Sequence, residues 1–291
     1  MNVKSIWARQ IVAAITAFAL LLFSCSKKNE APVAQTEATA DSIIIEEDTI
    51  PKPTIYITFD DGPNEGTKNL LRVINEVNVP MTAFVIGKNI YANEHLNSLY
   101  RQLVDNPYIE VANHSYTHAN GRYKKFYQNP ENVRADFNRT RDSIRTNIDL
   151  ARMPGRNIWR CGDLKFTDLK ASAAAGDLLQ DAGYRVVGWD MEWGATKKMH
   201  LAGSHEKKLE EVEHYFETGG GKRPGHLILL SHDQYLTDED SVRELTAFIT
   251  KLKESGKYRF KKLSEYPFNT ADYKPLSKPH ADSAKLQTTH L

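Results

Sequence analysis

Two carboxylates stand side by side at Asp60-Asp61, and two imidazoles stand four apart at His114 and His118. Two anions held that close repel unless a cation or a shared proton lies between them. On a helical turn or a tight loop, an i,i+4 spacing puts both imidazoles on one side. Asp61 could then complete a three-ligand set of N and O donors. Three protein ligands with an open position describe a hydrolytic zinc-type centre, and the sequence holds no set of four Cys or His for a closed structural one. Each half alone says little. An Asp pair before Gly62-Pro63 also suits a solvated turn, and His-x-x-x-His also occurs in cores and on surfaces. Their pairing is what points to chemistry, together with His232-Asp233 at the end of an apolar run.

Those residues need elements to hold them. Ile55, Ile57 and Phe59 alternate with Tyr56 and Thr58, the pattern of a strand, which Gly62-Pro63 stops. Neighbours on a strand point to opposite faces, so both acids can serve one site only where the chain leaves the sheet. Apolar spacing then predicts a helix over Glu65–Val77, a strand over Met81–Gly87, a helix over His95–Val104, and a strand over Ile109–Ala112 that runs into His114. Further helices are expected at Glu131–Ile148, Ala171–Asp181, Lys207–Phe216 and Ser241–Glu254. Further strands are expected at Tyr184–Asp190, His226–Ser231 and Tyr258–Phe260. Alternating strands and helices imply parallel pairing in a doubly covered or closed sheet. In such sheets sites gather at the carboxyl ends of strands. Asp60, Asp61, His114, Glu192 and His232 all fall at such ends.

Thr58-Phe59-Asp60-Asp61-Gly62-Pro63 followed by His114-Ser115-Tyr116-Thr117-His118 resembles the polysaccharide deacetylase family, the NodB-homology domain of carbohydrate esterase family four. Arg152-Met153-Pro154-Gly155, Trp189-Asp190-Met191-Glu192-Trp193 and Leu230-Ser231-His232 are similar to its third, fourth and fifth motifs. The resemblance implies a distorted (β/α) barrel of about seven parallel strands with outer helices. It implies that Asp61, His114 and His118 hold a divalent metal, zinc or else Co2+ or Ni2+. Asp60 would be the general base towards water, His232 the general acid, Arg152 a groove residue that keeps Asp60 ionised, and Glu192 the carboxylate that orients His232. Asp190 is the other acid that could do this. Pro154 and Gly155 would lie along the substrate, Gly155 offering an N–H to the oxyanion, and Trp193 and Leu230 would wall the acetyl pocket. Amide hydrolysis fits such a set, since it needs an activated water, oxyanion stabilisation and a proton donor for a poor leaving group.

The fourth motif is shortened and carries Glu192 where the family has Asp, and Gly155-Arg156 replaces an aromatic-Gly ending. The segment Gly121–Asn129 offers Tyr123, Phe126 and Tyr127 either to sugar rings or to its own domain. The expected reaction is removal of N-acetyl groups from a GlcNAc- or MurNAc-containing polymer. The rivals are an O-acetyl esterase on xylan-like glycans and a carbohydrate-binding protein that has lost catalysis.

The chain has 291 residues, a formal charge of +1 and 26% charged residues, which gives no electrostatic case for nucleic acid. Residues 1–24 read as a lipoprotein signal peptide, with Lys4 and Arg9 before the apolar run Ile11–Phe23. Leu22-Phe23-Ser24-Cys25 resembles a bacterial lipobox, with Cys25 lipidated. Residues 25–52 read as a flexible tether, 53–270 as the deacetylase-like domain and 271–291 as a polar tail. The implied setting is the bacterial cell envelope, with a monomer anchored on a membrane and facing the periplasm. Cys161 is expected as a buried small hydrophobe.

Overall fold

Strand β1 (Thr54–Gly62) is buried on both faces, which its alternation of Ile and Phe with Tyr and Thr permits. A computed structural model describes residues 51–144 and 149–272. The signal segment, Cys25, the tether up to residue 50 and the tail beyond 272 lie outside them. After β1 the chain runs through α1 (Thr67–Val77), β2 (Met81–Val85), α2 (Gly87–Ile90), α3 (Glu94–Asp105) and β3 (Ile109–Asn113). It continues through α4 (Tyr123–Tyr127), α5 (Pro130–Arg141), β4 (Leu150–Ala151), β5 (Ile158–Cys161), β6 (Leu164–Thr167) and α6 (Ala173–Asp181). The last elements are β7 (Arg185–Val186), β8 (Met191–Glu192), α7 (His205–Glu217), β9 (His226–His232), α8 (Glu239–Glu254) and β10 (Arg259–Phe260).

The sheet order is β6-β5-β7-β4-β3-β2-β1-β9-β8, with β10 on β1. From β7 to β8 all neighbours are parallel. The fold is therefore the expected one, a curled, mostly parallel sheet with helices outside. The hairpin β5–β6, antiparallel within itself and to β7, is an addition that the sequence pattern did not reveal.

Register explains where the polar residues go. Ile55, Ile57, Phe59, Met81, Ala83, Val85, Ile109, Val111, Leu227 and Leu229 all face the main core, shared with α1, α3, α7 and α8. The intervening Tyr56, Phe84, Ala112 and Ile228 form a second, inner cluster. Further along this inner face, at the carboxyl ends, come Asp60, His114 and His232. Strand alternation thus sends one set of side chains beneath the helices and the other towards the mouth. The long expected strand Tyr184–Asp190 pairs only at Arg185–Val186. Beyond it the backbone passes Asn157 so closely that a Cβ on Gly188 would lie 1.9 Å from Asn157 Oδ1. Cys161 is buried among apolar side chains, and burial pushes its thiol up to about 12.

Candidate active site

At the end of β1 the register against β2 shifts between Asp60 and Gly62, a bulge centred on Asp61. Asp61 takes φ +78°, the left-handed region that L residues rarely adopt. The bulge answers the problem of adjacent acids, because the extra residue turns Asp61 to the same side as Asp60. The carbonyl of Asp61 accepts from Asn64 Nδ2 and Asn89 Nδ2, both at 3.3 Å.

His114 and His118 do not share a helical turn: His114 follows β3 directly, and His118 opens a 3-10 turn, His118–Gly121. They flank a loop in which Ser115 and His118 also have positive φ, +64° and +52°. Two elements hold that loop. Asp136 of α5 accepts from Tyr116 N, Thr117 N and Thr117 Oγ1 at 3.0, 3.0 and 3.2 Å. From the other side, the N–H groups of Gly87 and Lys88 in α2 donate to the Ser115 and Tyr116 carbonyls, both at 3.0 Å.

The convergence is close. Asp61 Oδ1 lies 3.3 Å from His114 Nε2 and 3.0 Å from His118 Nε2. His114 Nδ1 lies 2.9 Å from the Arg152 carbonyl, which can only accept. Nδ1 therefore carries a proton, and with the ring neutral Nε2 offers its lone pair to a cation. Burial lowers the pKa of this ring, but Asp60 and Asp61 more than reverse this and raise it. Asp61 Oδ1 is buried and has no hydrogen-bond partner. A bare carboxylate oxygen facing two imidazole nitrogens is the donor set of a cation site, and one ligand atom from each residue falls within 4.8 Å of the others. Burial by itself would raise the Asp61 carboxyl; the two imidazoles, when protonated, more than reverse this and hold it well below the usual range.

Asp60 lies next to this group, its Oδ2 3.7 Å from His114 Nε2. Its Oδ1 accepts from Arg152 Nη1 at 2.9 Å. Arg152 also donates to Thr58 Oγ1 and the Gly188 carbonyl, at 2.8 and 2.9 Å, and sits over the Phe84 ring. It is fully buried behind Asp60 and does not line the cleft, so it is an internal brace and not the expected groove residue. Burial lowers its pKa although Asp60 acts against this.

His232 ends β9, its Nε2 4.0 Å from Asp61 Oδ2. The expected support from Glu192 is not seen. His232 Nδ1 is buried without a hydrogen-bond partner, while Glu192 is exposed at the wall of the cleft. Asp190 is engaged elsewhere, accepting from Lys222 N and Ile228 N. Packing against the Tyr235 ring, 4.8 Å away, holds the His232 imidazole.

The cleft, about 360 Å³, is lined by the two Asp and three His together with Tyr123, Gly155, Trp189, Glu192, Leu230, Gln234 and Tyr235. Leu230 and Gly155 are thus where the sequence put them. Pro154 is buried, its carbonyl accepting from Tyr127 at 2.7 Å. Trp193 is in the core against Phe248, its Nε1 donating to the Ala202 carbonyl. Trp189, three residues from Glu192, forms the wall assigned to Trp193. Of the aromatics in 121–129, only Tyr123 faces the cleft. Gln234 and Tyr235, which the sequence did not flag, follow directly on His232.

A curled, mostly parallel α/β sheet whose carboxyl ends gather three candidate cation ligands, an acid and a further imidazole is the architecture of a barrel hydrolase. Residues 47–187 match the polysaccharide deacetylase family model. A bifunctional xylanase/xylan deacetylase of Cellvibrio japonicus is 36% identical over 205 residues, 69% of this chain and 26% of that protein. A chitooligosaccharide deacetylase of Sinorhizobium fredii is 48% identical over 67 residues, 23% of this chain and 29% of that protein. The chain thus spans under a third of either relative. A carbohydrate esterase family four structure from Streptococcus mutans shares the fold, with a TM-score of 0.53 at 21% identity, covering 72% of this chain and 86% of that one. Residues 47–187 thus belong to the polysaccharide deacetylase family.

Proposed function

We propose that this chain is a metal-dependent hydrolase that removes N-acetyl groups from a GlcNAc- or MurNAc-containing polysaccharide, a cell-envelope glycan or peptidoglycan. The carrying observation is that Asp61, His114 and His118 bring their ligand atoms within 4.8 Å beside Asp60 and His232. A divalent cation bound there, zinc by the mixed N and O donors, supplies an acidified water and a positive charge for the developing oxyanion. Asp60 takes the proton of the attacking water at Oδ2, its Oδ1 being held by Arg152. His232 Nε2 faces the cleft and passes a proton to the leaving nitrogen. Trp189, Leu230 and Tyr235 give an apolar wall for the acetyl methyl, and Tyr123 a ring beside the sugar.

Acetate release from N-acetylchitooligosaccharide, lost on chelation and restored by Zn2+, tests this reading. Asp60→Asn should keep the metal and lose turnover by at least about 100-fold. Retained turnover would remove Asp60 as base, and glycan binding without acetate release at any metal loading would select the decayed-enzyme reading. The similarity to a xylan deacetylase favours a second reading, an O-acetyl esterase. Acetate release from acetylxylan alone would select it. Lipidation at Cys25 and a membrane-anchored, periplasm-facing monomer complete the proposal. Labelling of Cys25, but not of Cys25→Ser, with a fatty-acid analogue tests the anchor.

A further inference from the structure

Gln234 takes no part in the reaction outlined above, yet it occupies a telling position. Its Nε2 donates to Asp61 Oδ2 at 2.9 Å, while the other oxygen, Oδ1, is the buried, partnerless one that faces both imidazoles. A free carboxylate can rotate, and it can offer one oxygen or both to a cation. An amide donor on one oxygen removes that freedom, leaving Oδ1 to bind and Oδ2 engaged. Such outer partners fix the orientation of ligands and commonly change metal affinity by about 10–100-fold.

The side chain can do this because its backbone is fastened. Gln234 lies in a 3-10 turn, Asp233–Tyr235, directly after β9. The Asp233 carboxylate, fully buried, accepts from Asn64 and Thr67 in the turn after β1. A Cβ on Gly66 would fall 1.8 Å from the Asp233 carbonyl oxygen, so that turn and the end of β9 are in direct backbone contact. The residue that presents Asp61 and the residue that restrains it are thus tied to one frame. Asn64 works from the opposite side, donating to the Asp61 carbonyl as well as to Asp233.

We infer that Gln234 is a positioning residue for the metal site, one that fixes Asp61 as a single-oxygen ligand and thereby sets cation affinity. The inference rests on the metal-site reading under Proposed function. It differs in what it predicts, because it concerns how tightly a cation is held and not whether the reaction runs. Gln234 is half-buried at the cleft, so a substitution of equal length leaves the core untouched.

The test is calorimetric titration of Zn2+ into the metal-stripped full chain, comparing the wild type with Gln234→Met and Gln234→Ala. Both variants lose the amide donor, and Met keeps the length. The expected result is a tenfold or greater rise in the Zn2+ Kd for both, with the apoprotein melting temperature unchanged. A rise in Kd below threefold overturns the inference, as does a fall in kcat/KM with metal affinity intact, which would make Gln234 a substrate contact. Failure of the wild type to bind Zn2+ at one site would instead sink the metal-site reading and this inference with it. Unchanged affinity in the variants beside tight wild-type binding sinks the inference alone.

Discussion

Asp60 and Arg152 form the most enclosed charge pair of the site, with side chains 4% and 0% exposed. Removing one member of such a pair leaves an uncompensated buried charge, which commonly costs about 3–5 kcal/mol. Arg152→Met is therefore expected to destabilise the fold by about that amount, measured as the urea midpoint of the full chain. Arg152→Lys should not restore it, because the planar fork reaches Thr58, Asp60 and Gly188 in separate directions and an ammonium cannot. A Met variant as stable as wild type would show that the pair contributes little. At this scale the sequence was legible wherever a side chain's task depends on its type. Asp61, His114 and His118 converge as their chemistry demands. It misled where the task depends on direction. Glu192 and Trp193 are adjacent, so alternation turns one to the cleft and the other beneath α8, as it would have done to Asp60 and Asp61 without the bulge.

The elements meet through Asp233. Burial pushes its carboxyl up to about 7, against the pull of its hydrogen bonds from Thr67 and Asn64. A carboxyl whose folded-state pKa is raised contributes stability that is fully present below its unfolded value, near 4. That contribution is lost as pH rises through about 7. The metal-free protein should thus melt at a lower temperature at pH 7.5 than at pH 5.5, and Asp233→Asn, which keeps the acceptor without the charge, should flatten the slope. Equal slopes in wild type and variant would show that Asp233 does not titrate in this window. Which elements could be foreseen follows the same logic of burial. β1, β2, β3 and β9 have five or more residues and are buried on both faces, and they stand close to where they were expected. β4 and β8 are two residues each, too short to leave a period in the sequence, and β7, also two residues, is the paired part of the longer strand expected at Tyr184–Asp190. The hairpin β5–β6 was missed because it alternates weakly, with Arg160 turned to Asp177 and Lys165 exposed.

At the scale of the whole molecule the candidate metal site works as a fastening. Its ligands come from the bulged end of β1 and the loop after β3, and Gln234 ties in the turn after β9. A cation that binds the folded chain and not the unfolded one adds stability by mass action, about 2.7 kcal/mol at a hundredfold excess over Kd. For a domain of this size that corresponds to roughly 2–4 °C of melting temperature per kcal/mol. The expectation is a rise of about 5–10 °C when Zn2+ replaces chelator in scanning calorimetry of the full chain, and no rise in His118→Ala. The control separates this site from the other cluster of metal-type residues among those described, His205, Glu206 and Glu244. There both imidazole nitrogens already face carboxylates, Nδ1 at 2.8 Å from Glu244 and Nε2 at 3.0 Å from Glu206. His205→Ala should keep the full Zn2+ shift. If His118→Ala keeps the shift and His205→Ala loses it, the stabilising cation sits on α7, and the strand ends are held by hydrogen bonds alone.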